Sequence, residues 1–311
     1  MITIKKCVII YNPNSGKKRI KKYIPEIKKI LEKKEYEPEV IATKYKKHAI
    51  EIVEELDNDI DLVMSFGGDG TFNEVMTGNL NRKKRLLLTH IPVGTTNDIG
   101  AMLGYGKNII ENVKLSLKGV VKEFDIGMIN EQPFIYVAGI GKFTNLSYQT
   151  PSDLKKKIGH LAYIEEGVKT FFQKTKLYDI SYEIDGEEYR GLFSLVLISN
   201  ANHIAGIKNI YKDVKLDDNQ FEIIFCNLKK KKDILKTLYF LTMYDSSKVP
   251  GFYFYRTNKL KLKINNAEEE TWCIDGEKLD KNDNNTYDIS IINNVKILVP
   301  KKNIKKLFLK I

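Results

Sequence analysis

Apolar and polar residues alternate in blocks along the first 130 residues, and the blocks follow two different periods. Short runs that are apolar almost throughout, such as residues 6–11, are typical of buried parallel strands. Between these runs, apolar residues recur at helical spacing, as Ile20, Ile24, Ile27 and Leu31 do. The patterns predict strands over 6–11, 38–43, 61–66 and 85–93, and helices over 19–31, 49–56, 71–80 and from about 97. Such alternation indicates a parallel sheet with right-handed crossovers.

The pattern changes after about Val120, where strand-like runs dominate. Predicted strands cover residues 120–129, 134–140, 178–185, 189–199, 221–227, 252–265, 271–274 and 287–292. Two helical insertions, near 153–173 and 231–244, interrupt them. Strands at this spacing are typical of an antiparallel sandwich or barrel. The prediction is therefore a Rossmann-like α/β domain over residues 1–130 and an antiparallel β-sandwich domain over 131–295, with the active site in the cleft between them.

Composition adds a charge argument to this picture. The 311 residues include 51 Lys and Arg against 40 Asp and Glu, a net charge of +11. This favours an anionic partner such as nucleic acid, a nucleotide or an acidic membrane surface, although a Lys-rich solvated surface gives the same composition. The three cysteines, Cys7, Cys226 and Cys273, are far apart and predict neither a metal cluster nor disulfides, which favours a reducing cytoplasm. No apolar run approaches the roughly 18 residues of a membrane-spanning helix.

Three loops carry the candidate chemistry, and each follows a predicted parallel strand. The first loop is Asn12–Gly16 (NPNSG), the glycine loop is Gly67–Gly70 within SFGGDGTFNEV, and the third loop is Pro92–Asp98 (PVGTTND). Because all three leave the carboxyl ends of strands, they should cluster at one edge of the sheet. Glycines before a helix let backbone N–H groups approach a phosphate, and Asp69 would then need a cation such as Mg²⁺ beside it. The alternative is a tight turn with an N-capping Asp or Thr. No GxxxxGK[ST] motif is present, which argues against an ordinary P-loop enzyme.

The three loops in this order resemble the catalytic family of the diacylglycerol kinases, and more narrowly its bacterial members. The resemblance extends along most of the chain, through Phe124–Gly127, Tyr148–Pro151, Val214–Asn219 and Cys273–Glu277. The GGDGT motif alone is shared with NAD kinases, but PVGTTND and the later motifs favour lipid kinases. The resemblance also implies that a C-terminal tail, residues 296–311, packs back on the first domain.

The resemblance implies a set of site residues. The nucleotide site would comprise Asn12, Pro13, Asn14, Ser15, Gly16, Thr43, Gly67, Gly68, Asp69, Gly70, Thr71, Phe72, Asn73 and Thr95. The carboxylates near the phosphates and a catalytic Mg²⁺ would be Asp69, Asp98 and Asp125. A structural Mg²⁺ would be held by the Asp218 side chain and the backbone oxygens of Lys215 and Gln220. This sequence has Asn219 where the family usually has Gly, and Asn tolerates the left-handed conformation required there.

The tripeptide Asp-Gly-Glu occurs twice, at Asp185–Glu187 and at Asp275–Glu277. Both match a two-residue hairpin turn, so the residues alone do not separate them. The resemblance implies that the first is a hairpin and that the second is catalytic. A lipid hydroxyl must lose its proton as it attacks a phosphoryl group, and a carboxylate can accept that proton. Glu277 is the favoured acceptor, with Asp275 positioning it or sharing the role.

The resemblance implies an ATP- and Mg²⁺-dependent enzyme of phospholipid biosynthesis that phosphorylates diacylglycerol to phosphatidic acid. The alternatives are a kinase of another lipid alcohol (a sphingoid base, monoacylglycerol or phosphatidylglycerol), an NAD kinase-like enzyme, and a nucleotide-binding protein without turnover. The expected partner is diacylglycerol at an anionic membrane surface, not nucleic acid, because no RNA-binding motif of the usual modules is visible. The expected location is the cytoplasm with peripheral membrane association, and a homodimer is the candidate assembly.

Overall fold

A computed structural model describes residues 4–16, 19–95, 97–141, 176–201, 203–204, 207–208, 213–228, 251–266, 272–279 and 284–309. The chain forms two compact units, the first comprising Met1–Phe124 with Asn294–Leu309 and the second Asp125–Asn293. The predicted helices 153–173 and 231–244 and the Tyr148–Pro151 motif lie outside the described residues. Within the described part of the chain, no helix is long and apolar enough to cross a bilayer.

The first unit alternates strands and helices, as its hydrophobic pattern predicts. Its elements are β1 (Lys5–Tyr11), a 3₁₀ helix (Ile20–Tyr23), α1 (Ile24–Glu32), β2 (Tyr36–Ala42), α2 (His48–Glu55), β3 (Leu62–Gly67), α3 (Asp69–Asn81), β4 (Leu88–Pro92), α4 (Asp98–Met102), α5 (Ile109–Leu117) and α6 (Ile304–Leu307). The strands are parallel in the order β2-β1-β3-β4, and Ile297 pairs in parallel with Leu88 of β4. Strands β3 and β4 are buried at every position, as expected of a sheet covered on both faces.

Helix α5 is an element that the hydrophobic pattern did not predict. Its N-cap is Asn108, whose side-chain oxygen accepts hydrogen bonds from the backbone N–H groups of Ile110 and Glu111 at 3.0 and 3.2 Å. Ile110 and Val113, three residues apart, are buried. The capping residue and the apolar spacing were both readable in the sequence.

The described strands of the second unit include two antiparallel sheets that pack around one core. Its strands are β5 (Val120–Ile129), β6 (Gln132–Phe134), β7 (Val137–Gly141), β8 (Tyr178–Ile184), β9 (Glu187–Phe193), β10 (Leu195–Ser199), β11 (His203–Ile204), β12 (Ile207–Lys208), β13 (Phe221–Cys226), β14 (Phe252–Thr257), β15 (Lys259–Ile264), β16 (Cys273–Ile274), β17 (Glu277–Lys278) and β18 (Thr286–Val299). One sheet contains the sequence β18-β15-β8-β9, and the other has the order β14-β13-β10-β7-β16-β17. Side chains from both sheets share the core, where Tyr182 stacks on Phe225 at 4.2 Å between ring centroids.

Two stretches predicted as single strands are each two strands. The stretch 252–265 forms β14, which pairs with β13, and β15, which pairs with β8 and β18 in the other sheet. The stretch 189–199 likewise divides between β9 and β10. The apolar pattern continues across each break because the residues on both sides contribute to the same core.

Candidate active site

The three loops of the first unit meet at one edge of its sheet, which confirms the prediction from strand direction. The Asn12 N–H donates to the Phe66 carbonyl at 3.1 Å, which ties the first loop to the end of β3. The Val93 N–H donates to the Gly67 carbonyl at 2.8 Å, which ties the third loop to the glycine loop. Thr43 follows β2 at the same edge and is buried.

Two glycines are required because the loops pack closely on one another. A Cβ on Gly94 would lie 2.5 Å from the Gly68 Cα, and a Cβ on Gly16 would lie 2.2 Å from the Val93 carbonyl oxygen. Gly16 also has a φ of +52°, which L-residues rarely adopt. Gly68 differs, because a Cβ there would meet, among the residues that the structure describes, only the Gly94 Cα, at 3.5 Å. Packing within the protein therefore explains Gly16 and Gly94 but does not require a glycine at position 68.

The glycine loop presents backbone donors at the start of a long helix. Helix α3 has 13 residues and begins at Asp69 with Gly68 as its N-cap. Within the described part of the chain, the N–H groups of Gly68 and Gly70 have no hydrogen-bond acceptor. Unpartnered N–H groups at a helix N-terminus, with the positive end of the helix dipole behind them, suit a phosphate.

Asp69 connects the glycine loop to the third loop. Its carboxylate accepts hydrogen bonds from the backbone N–H groups of Asp98 and Ile99, at 3.0 and 3.2 Å, and is buried. These are the first two residues of α4, so Asp69 caps a helix other than its own. Asp98 is also buried, at the first position of α4. The structure thus brings Asp69 and Asp98, the two predicted metal-binding carboxylates of the first unit, to the loop cluster. Their role toward a metal stays a prediction.

The other predicted nucleotide residues differ in exposure. Asn12, Pro13, Ser15 and Asn73 are half-buried, Asn14 and Thr95 are exposed, and Thr71 is buried. Phe72 is fully buried and stacks on His90 at 4.6 Å between ring centroids. Its side chain is therefore a core residue under the glycine loop, and only its backbone could meet a nucleotide. Burial lowers the pKa of His90 to about 3, which keeps the ring neutral.

In the second unit, Asp125 organises the loop that carries the predicted structural metal site. Its carboxylate accepts a hydrogen bond from the Asn219 N–H at 2.6 Å, and its own N–H donates to the Leu216 carbonyl at 2.7 Å. Asn219 has a φ of 58°, which confirms the left-handed conformation expected at this position. Asn219 therefore keeps the loop closed on Asp125.

The predicted metal ligands are oxygen donors, as Mg²⁺ requires. Asp218 is half-buried, and burial raises the pKa of its carboxyl group above the ordinary range. One of its oxygens accepts a hydrogen bond from the Gln220 N–H at 3.1 Å, which fixes the carboxylate beside the loop backbone. Among the described residues no group of three or more His, Cys, Asp or Glu side chains could hold a metal ion. A site here would therefore depend on one carboxylate, the backbone oxygens of Lys215 and Gln220, and water.

Both Asp-Gly-Glu tripeptides form hairpin turns, and their surroundings separate them. Both turns have the positive φ angles of a type I′ turn. The Asp and Gly of the first turn have φ of 53° and 84°, and those of the second turn have φ of 47° and 88°. Asp185 is exposed and accepts one hydrogen bond, from the Thr257 hydroxyl at 3.0 Å. Asp275 is buried, and its carboxylate accepts three, from the backbone N–H groups of residues 135, 136 and 137 at 2.7, 3.1 and 3.0 Å. The second turn is therefore anchored through its aspartate, and Glu277 follows it, exposed.

Comparison with known proteins identifies the family. The family model of the diacylglycerol kinase catalytic domain matches residues 6–129. The diacylglycerol kinase of Staphylococcus carnosus (strain TM300) is 32% identical over 274 residues, which cover 88% of this chain and 89% of that protein. The diacylglycerol kinase of Bacillus subtilis (strain 168) is 32% identical over 277 residues, covering 88% and 90%. The chain belongs to the diacylglycerol kinase family.

Membership in the diacylglycerol kinase family confirms the predicted enzyme class, a lipid kinase. A crystal structure of a diacylglycerol kinase from Bacillus anthracis str. Sterne has a TM-score of 0.76 to this chain and 23% identity, and the match covers 97% of this chain and 99% of that one. This likeness confirms the fold, an α/β part and an antiparallel β part.

The second unit contains buried polar residues that the sequence did not suggest. Asn200 is buried, and its side-chain N–H group donates to the Asp125 carbonyl. Glu222 is 1% exposed and accepts a hydrogen bond from Arg256 across the strand pair β13–β14 at 3.1 Å. Burial raises the pKa of Glu222 to about 8, against the opposing effect of Arg256. No sequence motif marks these residues. Glu222 lies within the otherwise apolar strand β13, and Asn200 directly follows the apolar strand β10.

Proposed function

We propose that this protein transfers the γ-phosphoryl group of ATP to the hydroxyl group of diacylglycerol and forms phosphatidic acid. Family membership supports the lipid kinase class, and the similarity to proteins named diacylglycerol kinases suggests the substrate. The observation that carries the proposal is the pair of unpartnered N–H groups, those of Gly68 and Gly70, at the start of helix α3. A polyphosphate suits such a position because its oxygens accept these hydrogen bonds.

The reaction needs a group that accepts the lipid proton, and we assign this role to Glu277. The lipid hydroxyl oxygen attacks the γ-phosphorus, the bond from phosphorus to the bridging oxygen of ADP breaks, and the proton passes to the Glu277 carboxylate. The three hydrogen bonds to Asp275 support this assignment, because they fix the turn that carries Glu277. Asp275 itself is a positioning residue, since its oxygens already accept those bonds. Glu187 has no comparable anchor, because Asp185 is exposed.

Magnesium would bind in two places under this proposal. Bound at the phosphates, with Asp69, Asp98 and Asp125 as the candidate carboxylates, it would neutralise charge on the phosphoryl oxygens. Bound at the loop of Lys215, Asp218 and Gln220, it would stabilise that loop. The oxygen donors of the second site suit the ion, and the half-buried Asp218 carboxylate supports the assignment.

The proposed substrate lies in a membrane, and the net charge of +11 supports association with an anionic surface. Each Lys or Arg near such a surface contributes up to about 1 kcal/mol of binding free energy. The predicted cleft between the domains, the cytoplasmic location and the homodimer stay predictions.

The deciding experiment measures transfer from γ-labelled ATP in anionic mixed micelles to a panel of acceptors. The panel contains diacylglycerol, monoacylglycerol, sphingosine, phosphatidylglycerol and NAD. The expected result is labelled phosphatidic acid that depends on Mg²⁺. Preferential label in another lipid would replace the substrate but keep the enzyme class, and label in NAD alone would contradict the lipid kinase proposal. A Glu277→Gln variant tests the base, with Glu187→Gln as its matched control.

A further inference from the structure

One buried carboxylate oxygen in the second unit lacks a partner. The Glu222 side chain is 1% exposed, and its Oε1 accepts a hydrogen bond from the Arg256 Nε at 3.1 Å. Its Oε2 is buried and has no hydrogen-bond partner among the described residues. A buried acceptor without a donor is costly, by about 1–3 kcal/mol, and more when the group is charged. Such an atom suggests a water molecule or a cation.

The residue that carries the unpartnered oxygen follows the proposed structural metal loop closely in the chain. Glu222 is the second residue of β13, two residues after Gln220 and four after Asp218. Arg256 donates to the Glu222 Oε1 at 3.1 Å and also attracts the Asp218 carboxylate. The guanidinium of Arg256 therefore connects Glu222 with the one carboxylate of the proposed metal loop.

We propose that Glu222 belongs to this cation site and accepts, through Oε2, a hydrogen bond from a water molecule bound to the ion. The inference rests on the proposed structural Mg²⁺ site. Mg²⁺ in proteins keeps several of its waters, and groups that orient those waters determine its affinity. Arg256 holds the other oxygen, so the carboxylate has a fixed direction. Glu222 is then a positioning residue for the ion and not a direct ligand.

The test is Mg²⁺ binding to the full chain without nucleotide, measured by isothermal titration calorimetry. Glu222→Gln should weaken Mg²⁺ binding about tenfold or more, because the amide donates where the carboxylate accepts. Asp218→Asn should weaken it further, because it removes a direct ligand. The matched control is Asp179→Asn, since Asp179 also forms an ion pair with an arginine, Arg190, on the adjacent strand. This control should bind Mg²⁺ like the wild type.

Thermal unfolding with and without Mg²⁺ separates this role from a purely structural one. We expect Glu222→Gln to leave the Tm without Mg²⁺ close to the wild-type value, since the amide has nearly the size of the carboxyl group and keeps an oxygen for Arg256. It should reduce the increase in Tm that Mg²⁺ produces. An unchanged Mg²⁺ affinity in Glu222→Gln, beside a weakened Asp218→Asn, would overturn the inference and leave the metal site standing. A wild-type protein that binds no Mg²⁺ would overturn both. The acceptor panel above decides the proposed activity independently of either result.

Discussion

The two Asp-Gly turns offer a controlled test of what a tertiary contact contributes. Asp185 and Asp275 occupy the same position of the same turn type, with φ of 53° and 47°. Replacing either with Asn keeps the turn, because Asn-Gly is also favoured there. Any difference between Asp185→Asn and Asp275→Asn therefore comes from the surroundings of the side chain.

The expected magnitude follows from the hydrogen bonds. Asp275 accepts three backbone N–H groups, and an Asn amide can accept only through its single oxygen. Losing one or two bonds to a charged acceptor, at about 1.5–3 kcal/mol each, should lower the free energy of unfolding by on the order of 3 kcal/mol. That corresponds to a Tm decrease of roughly 6–12 °C. Asp185→Asn changes an exposed residue and should alter the free energy of unfolding by less than about 0.5 kcal/mol.

Kinetic measurements on variants of the glutamate that follows each turn test which turn carries the catalytic base. Glu277→Gln should lower kcat by about 10²- to 10⁴-fold with little change in Tm or ATP affinity, whereas Glu187→Gln should change none of these. Circular dichroism melts, ATP binding by calorimetry and the micelle assay supply the measurements. Equal Tm decreases in the two Asn variants would refute the anchoring argument. A large kcat loss in Glu187→Gln alone would assign the base to the first turn.

Further predictions concern other parts of the protein. The pKa of His90 falls from 6.5 to about 3 on folding, so the free energy of unfolding should be highest above pH 6.5 and lower by about 2 kcal/mol at pH 5. Urea unfolding of the His90→Met variant should show a smaller decrease between these pH values. A decrease equal to that of the wild type would exclude His90 as the cause. Gly94→Ala should lower both Tm and ATP affinity, since its Cβ would lie 2.5 Å from the Gly68 Cα. Gly68→Ala, with space for a Cβ, should weaken ATP binding about tenfold at unchanged Tm, and unaltered affinity would contradict the phosphate assignment. Binding to anionic vesicles should weaken between 0.1 and 1 M salt as the Debye length falls from about 10 to 3 Å, and equal binding to neutral vesicles would contradict the electrostatic argument.

The local hydrophobic pattern was sufficient to predict most strands and helices of the first unit. The runs that became β1, β3 and β4 are apolar because the sheet is buried on both faces, and the direction of parallel strands required their loops to meet at one edge. The conformation of Asn219 was also predictable, because the side chain of Asn tolerates positive φ. Helix α5 was predictable from its cap and its buried apolar residues but was missed.

Strand breaks in the second unit depended on tertiary structure. The stretch 252–265 is apolar at intervals on both sides of position 258, and its division into β14 and β15 reflects pairing with different sheets. Sequence periodicity reports which residues face a core, but it does not report which neighbouring strand supplies the backbone hydrogen bonds.

Single residues of the candidate site show the same contrast between what the sequence predicts and what tertiary structure decides. Asp69 was noticed for its place among glycines, but its carboxylate accepts hydrogen bonds from Asp98 and Ile99, which lie 29 and 30 residues away in the chain. Asp185 and Asp275 have the same neighbours in sequence and the same backbone conformation. They differ because the fold brings three N–H groups, 138 to 140 residues away in the chain, to Asp275 alone. Burial and hydrogen-bond partners at such separations arise only when the chain has folded.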